Sequence, residues 1–156
     1  FAFEILLDYL SEDDELGVVN ATTSDETPTL EAVFDGAKMR AYQHLVRRVP
    51  LAPTVARHAL RLVRATRPGA GADEFVTNYL SYGASVRAAQ FLVLAGKARA
   101  LTRGQAHVGF EDVRALVGPV LRHRLLKNFK AESEGVTTDN IIEHVMSALP
   151  SPVGDA

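Results

Sequence analysis

The segment that decides the fold covers residues 83–103 and reads GASVRAAQFLVLAGKARALTR. Gly83 is typical of the exit from a preceding element, and Ser85 is a favourable helix N-cap residue. From Ala88 to Leu101 the residues are apolar around most of a helix, which a stable helix tolerates only in a central position. The sequence therefore predicts one long buried helix, running to about Arg103, with other helices packed around it.

Arg87 is a cation in the first turn of this predicted helix. The N-terminus of a helix carries about half a positive charge, so an arginine there costs roughly a few tenths of a kcal/mol unless an anion offsets it. Free backbone N–H groups and a guanidinium on the same side favour a phosphate ligand. An exposed arginine that tolerates a small penalty explains the spacing equally well, so both interpretations stay open at this point.

Helical spacing of apolar residues, together with prolines, marks further helices on both sides of this segment. Ser11 is expected to cap a first helix that ends near Asn20, and Pro53 is placed to open a helix that ends at Pro68. Residues 21–29 predict a mobile loop. The other predicted helices cover residues 35–48, 74–82, 110–117, 120–129 and 138–149, the last capped by Thr138.

Residues 1–8 are apolar and bounded by acids, which predicts a strand. No other segment alternates convincingly, so this strand has no expected partner within the chain. Gly118 and Pro119 are expected to separate two late helices. The predicted fold class is therefore all-α, a small helical bundle preceded by one orphan strand.

Composition excludes several classes of protein. The chain has 156 residues, a length suited to one domain, and no cysteine, so disulfides and thiolate chemistry are absent and a reducing compartment is expected. No apolar run approaches the roughly 18 residues of a membrane span, and the opening residues lack the basic-then-apolar pattern expected of a signal peptide. Because the sequence opens on Phe1 in a strand-like segment, we expect it to be a piece of a longer protein.

Charge is divided unevenly along the chain, although the net charge is only −2. Residues 1–35 carry ten acids and no Lys or Arg, whereas residues 36–72 carry eight bases and no acid. This division is compatible with pairing inside the chain, with plain solvated faces, with pairing between subunits, or with a surface for polyanions. On the helix opened by Pro53, Arg57, Arg61 and Arg64 share one face, but aromatic residues that would stack on bases are lacking, which makes nucleic acid an unlikely partner.

Motifs for catalysis are absent from the sequence. Gly104 and Gly109 have the spacing of a phosphate-binding loop, but Phe110 and Glu111 follow where Lys and Ser or Thr are required. The chain by itself should therefore bind no ATP and be inactive. Its five histidines are scattered without the spacing of metal ligands, so no metal site is predicted, and no nucleophile-elbow pattern is present.

Five stretches, which follow the family's order along the chain, resemble the C-terminal lid region of MoxR-family AAA+ ATPases. The stretch YLSYGASVRAAQ at residues 79–90 resembles the sensor-2 segment of that family, whose usual pattern is W-G-A-S-P-R-A-A-Q. FAFEILLDY at residues 1–9 is similar to the strand that ends the family's ATPase core. LRLVRATRP at residues 60–68 is similar to the family's lid. FEDVRAL at 110–116 and VLRHRL at 120–125 are similar to its late helices.

The resemblance implies a domain organisation and a site. Residues 1–10 would be the last strand of the core and a hinge, residues 11–150 the AAA+ lid, and residues 151–156 a disordered tail. It also implies that the parent protein hydrolyses Mg-ATP held between core and lid. Arg87 would be the catalytic residue at the β- or γ-phosphate, and Tyr9 and Leu10 would lie near the adenine.

The same resemblance implies partners and a role. The lid would work with the core of its own chain and with neighbouring subunits of a ring, coupling ATP hydrolysis to chaperone-like remodelling of proteins in the cytoplasm. A protein with a von Willebrand factor A domain is a further expected partner, and a membrane is not. The alternative is a helical module that binds protein or nucleic acid without a nucleotide. Val86, Leu10 and Gly109 depart from the family's usual Pro, Pro and Thr, while Arg87 is retained.

Overall fold

The computed structural model describes residues 1–25 and 29–151. Within these ranges the chain is mostly helical, as the sequence predicts. Helices α1 to α9 span Glu12–Thr23, Gly36–Arg48, Pro53–Ala65, Glu74–Tyr79, Val86–Thr102, Phe110–Arg114, Val117–Leu121, Phe129–Ser133 and Thr138–Ala148. A 3-10 helix at Arg122–Arg124 and two short strands, β1 at Leu80–Tyr82 and β2 at Leu126–Lys127, complete these elements.

Helix α5 is the central element, which confirms the prediction from its apolar circumference. It packs against α2, α3, α6 and α7 and buries mostly small side chains. A Cβ added at Gly96 would lie 3.2 Å from Val108 Cγ1, tighter than most real contacts, so the neighbouring chain approaches α5 closely there. Small residues on α5 thus let its neighbours pack closely around it. Its buried residues are Ala88, Ala89, Leu92, Gly96 and Ala100.

The predicted helix over residues 120–129 is wrong. Helix α7 already ends at Leu121, and the 3-10 helix and β2 intervene before α8 begins at Phe129. Gly118 and Pro119 lie inside α7 rather than between helices, because a proline in the first turn sacrifices no hydrogen bond within the helix. At the last helix the cap is Thr137 rather than Thr138, since the Thr137 hydroxyl accepts the Asn140 N–H.

The small antiparallel sheet was not predicted. Leu80 pairs with Lys127 and Tyr82 with Leu126, so the helix expected over residues 74–82 ends at Tyr79 instead. Strands of three and two residues are too short to produce a periodic pattern in the sequence. This pairing joins α4 to the approach to α8, and the Asn128 N–H extends it by donating to the Tyr79 carbonyl over 3.0 Å.

The first third of the chain is largely exposed. Residues 1–10 form neither a helix nor a strand, so their assignment as the last strand of a core stays a prediction. Helix α1 begins at the expected cap, Ser11, but extends to Thr23 and buries no residue. Part of the predicted loop over 21–29, and residues 152–156 of the predicted disordered tail, lie outside the described residues. None of the described helices is long and apolar enough to cross a membrane.

Asp112 is a fully buried carboxylate that ties α6 to α5. Its Oδ2 accepts the Gly109 N–H over 2.9 Å and caps α6, while its Oδ1 accepts a hydrogen bond from Arg99 Nη1 over 2.5 Å. Arg103 Nη1 lies 3.6 Å from the same Oδ1. A buried carboxylate is stable only when cations and donors use its oxygens, and here both oxygens are used.

His58 is the second buried polar group of interest, on the inner face of α3. Its ring meets that of Phe110 edge to face at 5.3 Å, and Nε2 has no hydrogen-bond partner among the described residues. Burial, and then the charges of Arg114 and Arg61, lower the pKa of His58 from its ordinary value. The imidazole is therefore held in its neutral form by the fold.

We expect Asp112→Ala to lower the free energy of unfolding by about 2–4 kcal/mol, because it removes a helix cap and a charge-assisted hydrogen bond. The matched control is Glu111→Ala at the adjacent acid, whose partner Arg103 is at the surface, and it should change stability much less. Urea denaturation of both variants measures the difference. Equal losses would contradict a special role for the buried carboxylate.

We also expect stability to depend on pH through His58. Because the pKa of His58 is lowered in the folded state, the unfolded chain takes up the proton first as pH falls. This contribution to stability is complete above about pH 6.5 and is lost below it. Denaturation of the His58→Leu variant between pH 7.5 and 5 should therefore show a shallower loss than the parent. A His44→Gln variant, altered at an exposed histidine, should retain the slope of the parent.

Candidate functional site

The candidate site begins at the N-terminus of α5. Ser85 occupies the N-cap position with extended backbone, as predicted, but its side chain accepts no hydrogen bond from the helix. The first turn also contains no acidic residue. The positive end of a 17-residue helix is therefore neither capped by the Ser85 side chain nor balanced by an acid in its own first turn.

The loop that leads into α5 is fixed to the end of α3. Thr66 Oγ1 accepts the Ala84 N–H over 2.9 Å and donates to the Val63 carbonyl over 2.7 Å. Arg67 Nε donates to the Ala84 carbonyl over 3.0 Å. A Cβ on Gly83 would lie 2.1 Å from the Thr66 carbonyl oxygen, so only glycine fits there. These contacts set where α5 starts, and with it the position of Arg87.

Arg87 is exposed and forms no ion pair or hydrogen bond with the described residues. It lines a surface groove of about 580 Å³ between α5 and the end of α2, here called the basic groove. The basic groove is lined by Arg47, Arg87, Gln90, Phe91, Val93, Leu94 and Lys97.

Three cations and no acid line the basic groove. Lys97 Nζ donates to the Arg47 carbonyl over 3.1 Å, which places one of these charges at the negative end of α2. Arg47, like Arg87, has no acidic partner in the described chain. The electrostatic potential of the basic groove is therefore positive, and an anion would reduce the repulsion between its walls.

A second, apolar groove of about 460 Å³ adjoins the basic groove. The two share Arg47, Phe91 and Leu94, while Ala2 and Phe3 of the N-terminal segment line only the apolar one. The N-terminal segment therefore runs along the same side of α5 as Arg87. For the described residues, no group of three or more histidine or acidic side chains is arranged to hold a metal ion.

Comparisons with known proteins show which folds and sequences this chain resembles. The AAA lid domain family matches residues 72–145. Chaperone MoxR1 of Mycobacterium tuberculosis is 25% identical over 153 residues, which are 97% of this chain and 40% of the relative. A crystal structure of a candidate ATPase from Cytophaga hutchinsonii superposes with a TM-score of 0.86 at 29% identity, covering 96% of this chain and 46% of that one. Together these similarities support a MoxR-type AAA lid region.

A further relative is the uncharacterised protein YeaC of Bacillus subtilis, 27% identical over 154 residues. These aligned residues make up 98% of this chain and 46% of YeaC. The chain thus spans less than half the length of these relatives. Within the lid, the family match begins before α4 and ends near the end of α9, so it includes Arg87 and the whole of α5.

Tyr9 and Leu10 are placed apart from the basic groove. Both are exposed, Tyr9 almost completely, and neither lines either groove. Their expected contact with an adenine stays a prediction, because a surface that would meet them is not among the described residues. Arg87 is thus the one predicted site residue that the lid places in a concave, charged position.

Sequence reasoning missed several residues near Arg87. Lys97 was detectable, because it is the next charged residue along α5 after Arg87, whereas Arg47 is brought in by packing of α2. From the sequence alone, Arg122 and Arg124 could be exposed charges or contacts at an interface, and in the structure both are partly buried. Arg122 Nε donates to Asp139 over 2.7 Å, and Arg124 is bonded to backbone carbonyls.

The uneven charge along the chain is not resolved by pairing within the lid. No ion pair among the described residues joins an acid of residues 1–35 to a base of residues 36–72. Arg57, Arg61 and Arg64 are exposed on α3, as the helical spacing predicts. This leaves pairing between subunits, binding of a polyanion and plain solvated faces as open interpretations.

Gly83→Ala should lower the stability of the lid by about 1–3 kcal/mol or more, because the new methyl group collides with a backbone carbonyl that cannot rotate away. Gly17→Ala in α1 is the matched control, since a Cβ there meets nothing within 4 Å. It should leave stability unchanged or raise it slightly. Thermal unfolding followed by circular dichroism measures both. A Gly83 variant as stable as the parent would contradict the close contact with Thr66.

Proposed function

We propose that this lid senses the nucleotide of an ATP-hydrolysing, MoxR-like AAA+ ATPase, with Arg87 as its sensor-2 residue. The observation that carries the proposal is the position of Arg87, an exposed cation without a partner in the described chain, at the unneutralised positive end of α5. An arginine suits a phosphate ligand because its charge is permanent and its planar fork donates two parallel hydrogen bonds.

The arrangement of α5 supports a coupling role for Arg87. The residue lies on a helix whose buried face contacts α3, α6 and α7, and the start of that helix is fixed by Thr66 and Gly83. A displacement of the guanidinium is therefore transmitted to α5 and the helices packed against it. Binding and release of a phosphate would in this way shift the lid as a body.

The rest of the site belongs to a part of the parent protein outside this chain. The sequence has no Gly-x-x-x-x-Gly-Lys-Ser/Thr, so the grip on the β-phosphate and the ligands of magnesium must come from an AAA+ core. In the intact protein Mg-ATP would supply the phosphoryl group that is transferred to water. Arg87 would bind its phosphates, and Tyr9 and Leu10, in the hinge that follows the last core strand, would lie beside the adenine.

The intact protein would assemble into a ring and remodel other proteins. The name of the Mycobacterium tuberculosis relative describes a chaperone, which supports protein remodelling as the work done with ATP. Neighbouring subunits of a ring, a partner with a von Willebrand factor A domain and a cytoplasmic location come with the family resemblance. Each stands on that resemblance, whereas the role of Arg87 also stands on geometry.

A second candidate function is supported by the face of α3. Arg57, Arg61 and Arg64 are exposed there and have no ion-pair partner among the described residues. Such a row of arginines can bind an acidic protein, or a nucleic acid through its phosphates, without any nucleotide. Salt-dependent binding of this kind depends on α3, whereas the sensor function depends on the N-terminus of α5.

In the intact protein, Arg87→Ala should reduce ATP turnover at least tenfold and leave thermal unfolding nearly unchanged, because the side chain is exposed and makes no contact that stabilises the fold. Arg61→Ala is the matched control, an exposed arginine on α3, and should retain turnover. Steady-state hydrolysis and nucleotide binding measure both variants. Turnover at the parent rate in Arg87→Ala would refute the sensor role, and salt-dependent nucleic-acid binding lost only in Arg61→Ala would favour the second candidate.

A further inference from the structure

Arg124, at the end of the 3-10 helix, holds the N-terminal segment of the chain by its backbone. Its Nη2 donates to the Phe1 carbonyl over 2.5 Å, and its Nη1 donates to the Ala2 carbonyl over 3.2 Å. The same Nη1 also donates to the carbonyl of Val120 in α7. One guanidinium therefore bridges the N-terminal segment and the end of α7.

Neighbouring residues support this attachment. The Glu4 N–H donates to the Pro119 carbonyl over 2.8 Å, and the Glu4 carboxylate lies 3.8 Å from His123 Nδ1. These contacts and those of Arg124 connect residues 1–4 to one short stretch, residues 119–124, here called the clamp. Backbone carbonyls and N–H groups carry most of the attachment, so it fixes the path of the chain whatever side chains residues 1–3 have.

The clamp also contacts the site at the start of α5. The Arg124 guanidinium lies over the ring of Phe91, 5.0 Å from its centre, and Phe91 follows Arg87 by one helical turn and lines the same groove. Burial, and then the charge of Arg87, lower the pKa of Arg124. The two guanidinium groups therefore repel each other, and both stay charged because an arginine pKa is far above neutrality.

We propose that Arg124 is a positioning residue that couples residues 1–4 to the anion bound by Arg87. An anion on Arg87 reduces the repulsion felt by Arg124, which strengthens its hold on the carbonyls of Phe1 and Ala2. Loss of the anion restores the repulsion and weakens that hold. The coupling rests on the proposed sensor function of Arg87, whereas the attachment of residues 1–4 by Arg124 does not.

The experiment uses three variants of the intact protein. Arg124→Met removes the charge and the hydrogen bonds at similar length, and Arg124→Lys keeps the charge but loses the planar fork. Arg122→Met is the matched control, because Arg122 lies in the same 3-10 helix but pairs with Asp139 in α9. Hydrogen–deuterium exchange of a peptide covering residues 1–6 measures how firmly the clamp holds the N-terminal segment. The kcat and KM for ATP measure the effect at the nucleotide site.

Without nucleotide, Arg124→Met should raise exchange in residues 1–6 at least threefold, Arg124→Lys should raise it less, and Arg122→Met should leave it unchanged. A non-hydrolysable ATP analogue should slow exchange of this peptide in the parent and in Arg122→Met but not in Arg124→Met. The kcat should fall at least fivefold in Arg124→Met with KM within threefold of the parent, and Arg124→Lys should recover part of the kcat.

Three results would overturn the proposal. Unchanged exchange in Arg124→Met would show that Arg124 does not hold the N-terminal segment. Equal effects of Arg122→Met and Arg124→Met would indicate a general loss of structure. A KM raised tenfold or more in Arg124→Met would make Arg124 a ligand of the nucleotide instead of a positioning residue. Failure of the sensor function is recognised separately, by an Arg87→Ala variant with normal kcat and KM, and the exchange arm without nucleotide is unaffected by it.

Discussion

The contact between Gly83 and the end of α3 is the constraint on which the geometry of the site depends. The Thr66 carbonyl occupies the space that any side chain at Gly83 would need, while the Thr66 hydroxyl binds the next N–H along the loop. Backbone atoms on both sides meet without an intervening side chain, so the loop has no freedom to slide along α3. These contacts therefore fix the position of the first turn of α5, which contains Arg87.

Charged groups in this lid fall into two physical classes. Asp112 is buried and both of its oxygens are used, so it contributes to the fold and would be costly without Arg99. Arg87 and Arg47 are exposed and have no acidic partner in the described chain. Exposed pairs contribute only about 0–1 kcal/mol, so an unpaired surface arginine costs the fold little. Stability therefore gives no reason for Arg87 at this position, and the proposed recognition of a phosphate would supply one.

Local signals in the sequence were sufficient for the main helices and for the position of Arg87. The apolar residues around most of α5 and the N-cap residue Ser85 can be recognised from the local sequence alone. The strand pair, the 3-10 helix and the basic groove depend on contacts between residues far apart in sequence, such as Leu80 with Lys127. Arg124 illustrates the difference, because an isolated RHR triplet reads as surface charge until the fold brings residues 1 and 2 beside it.

The two sides of the Arg124 contact differ in stiffness, which decides the direction in which a change at Arg87 is transmitted. Helix α5 is buried among α3, α6 and α7, so moving it would disrupt close packing on several sides. Residues 1–10 form no helix or strand and are attached through a few hydrogen bonds at residues 1–4, and α1 beyond them buries nothing. Segments with few buried contacts open at low free energy. Among the described residues, a change in the charge balance at Arg87 therefore moves the N-terminal segment more readily than it moves α5.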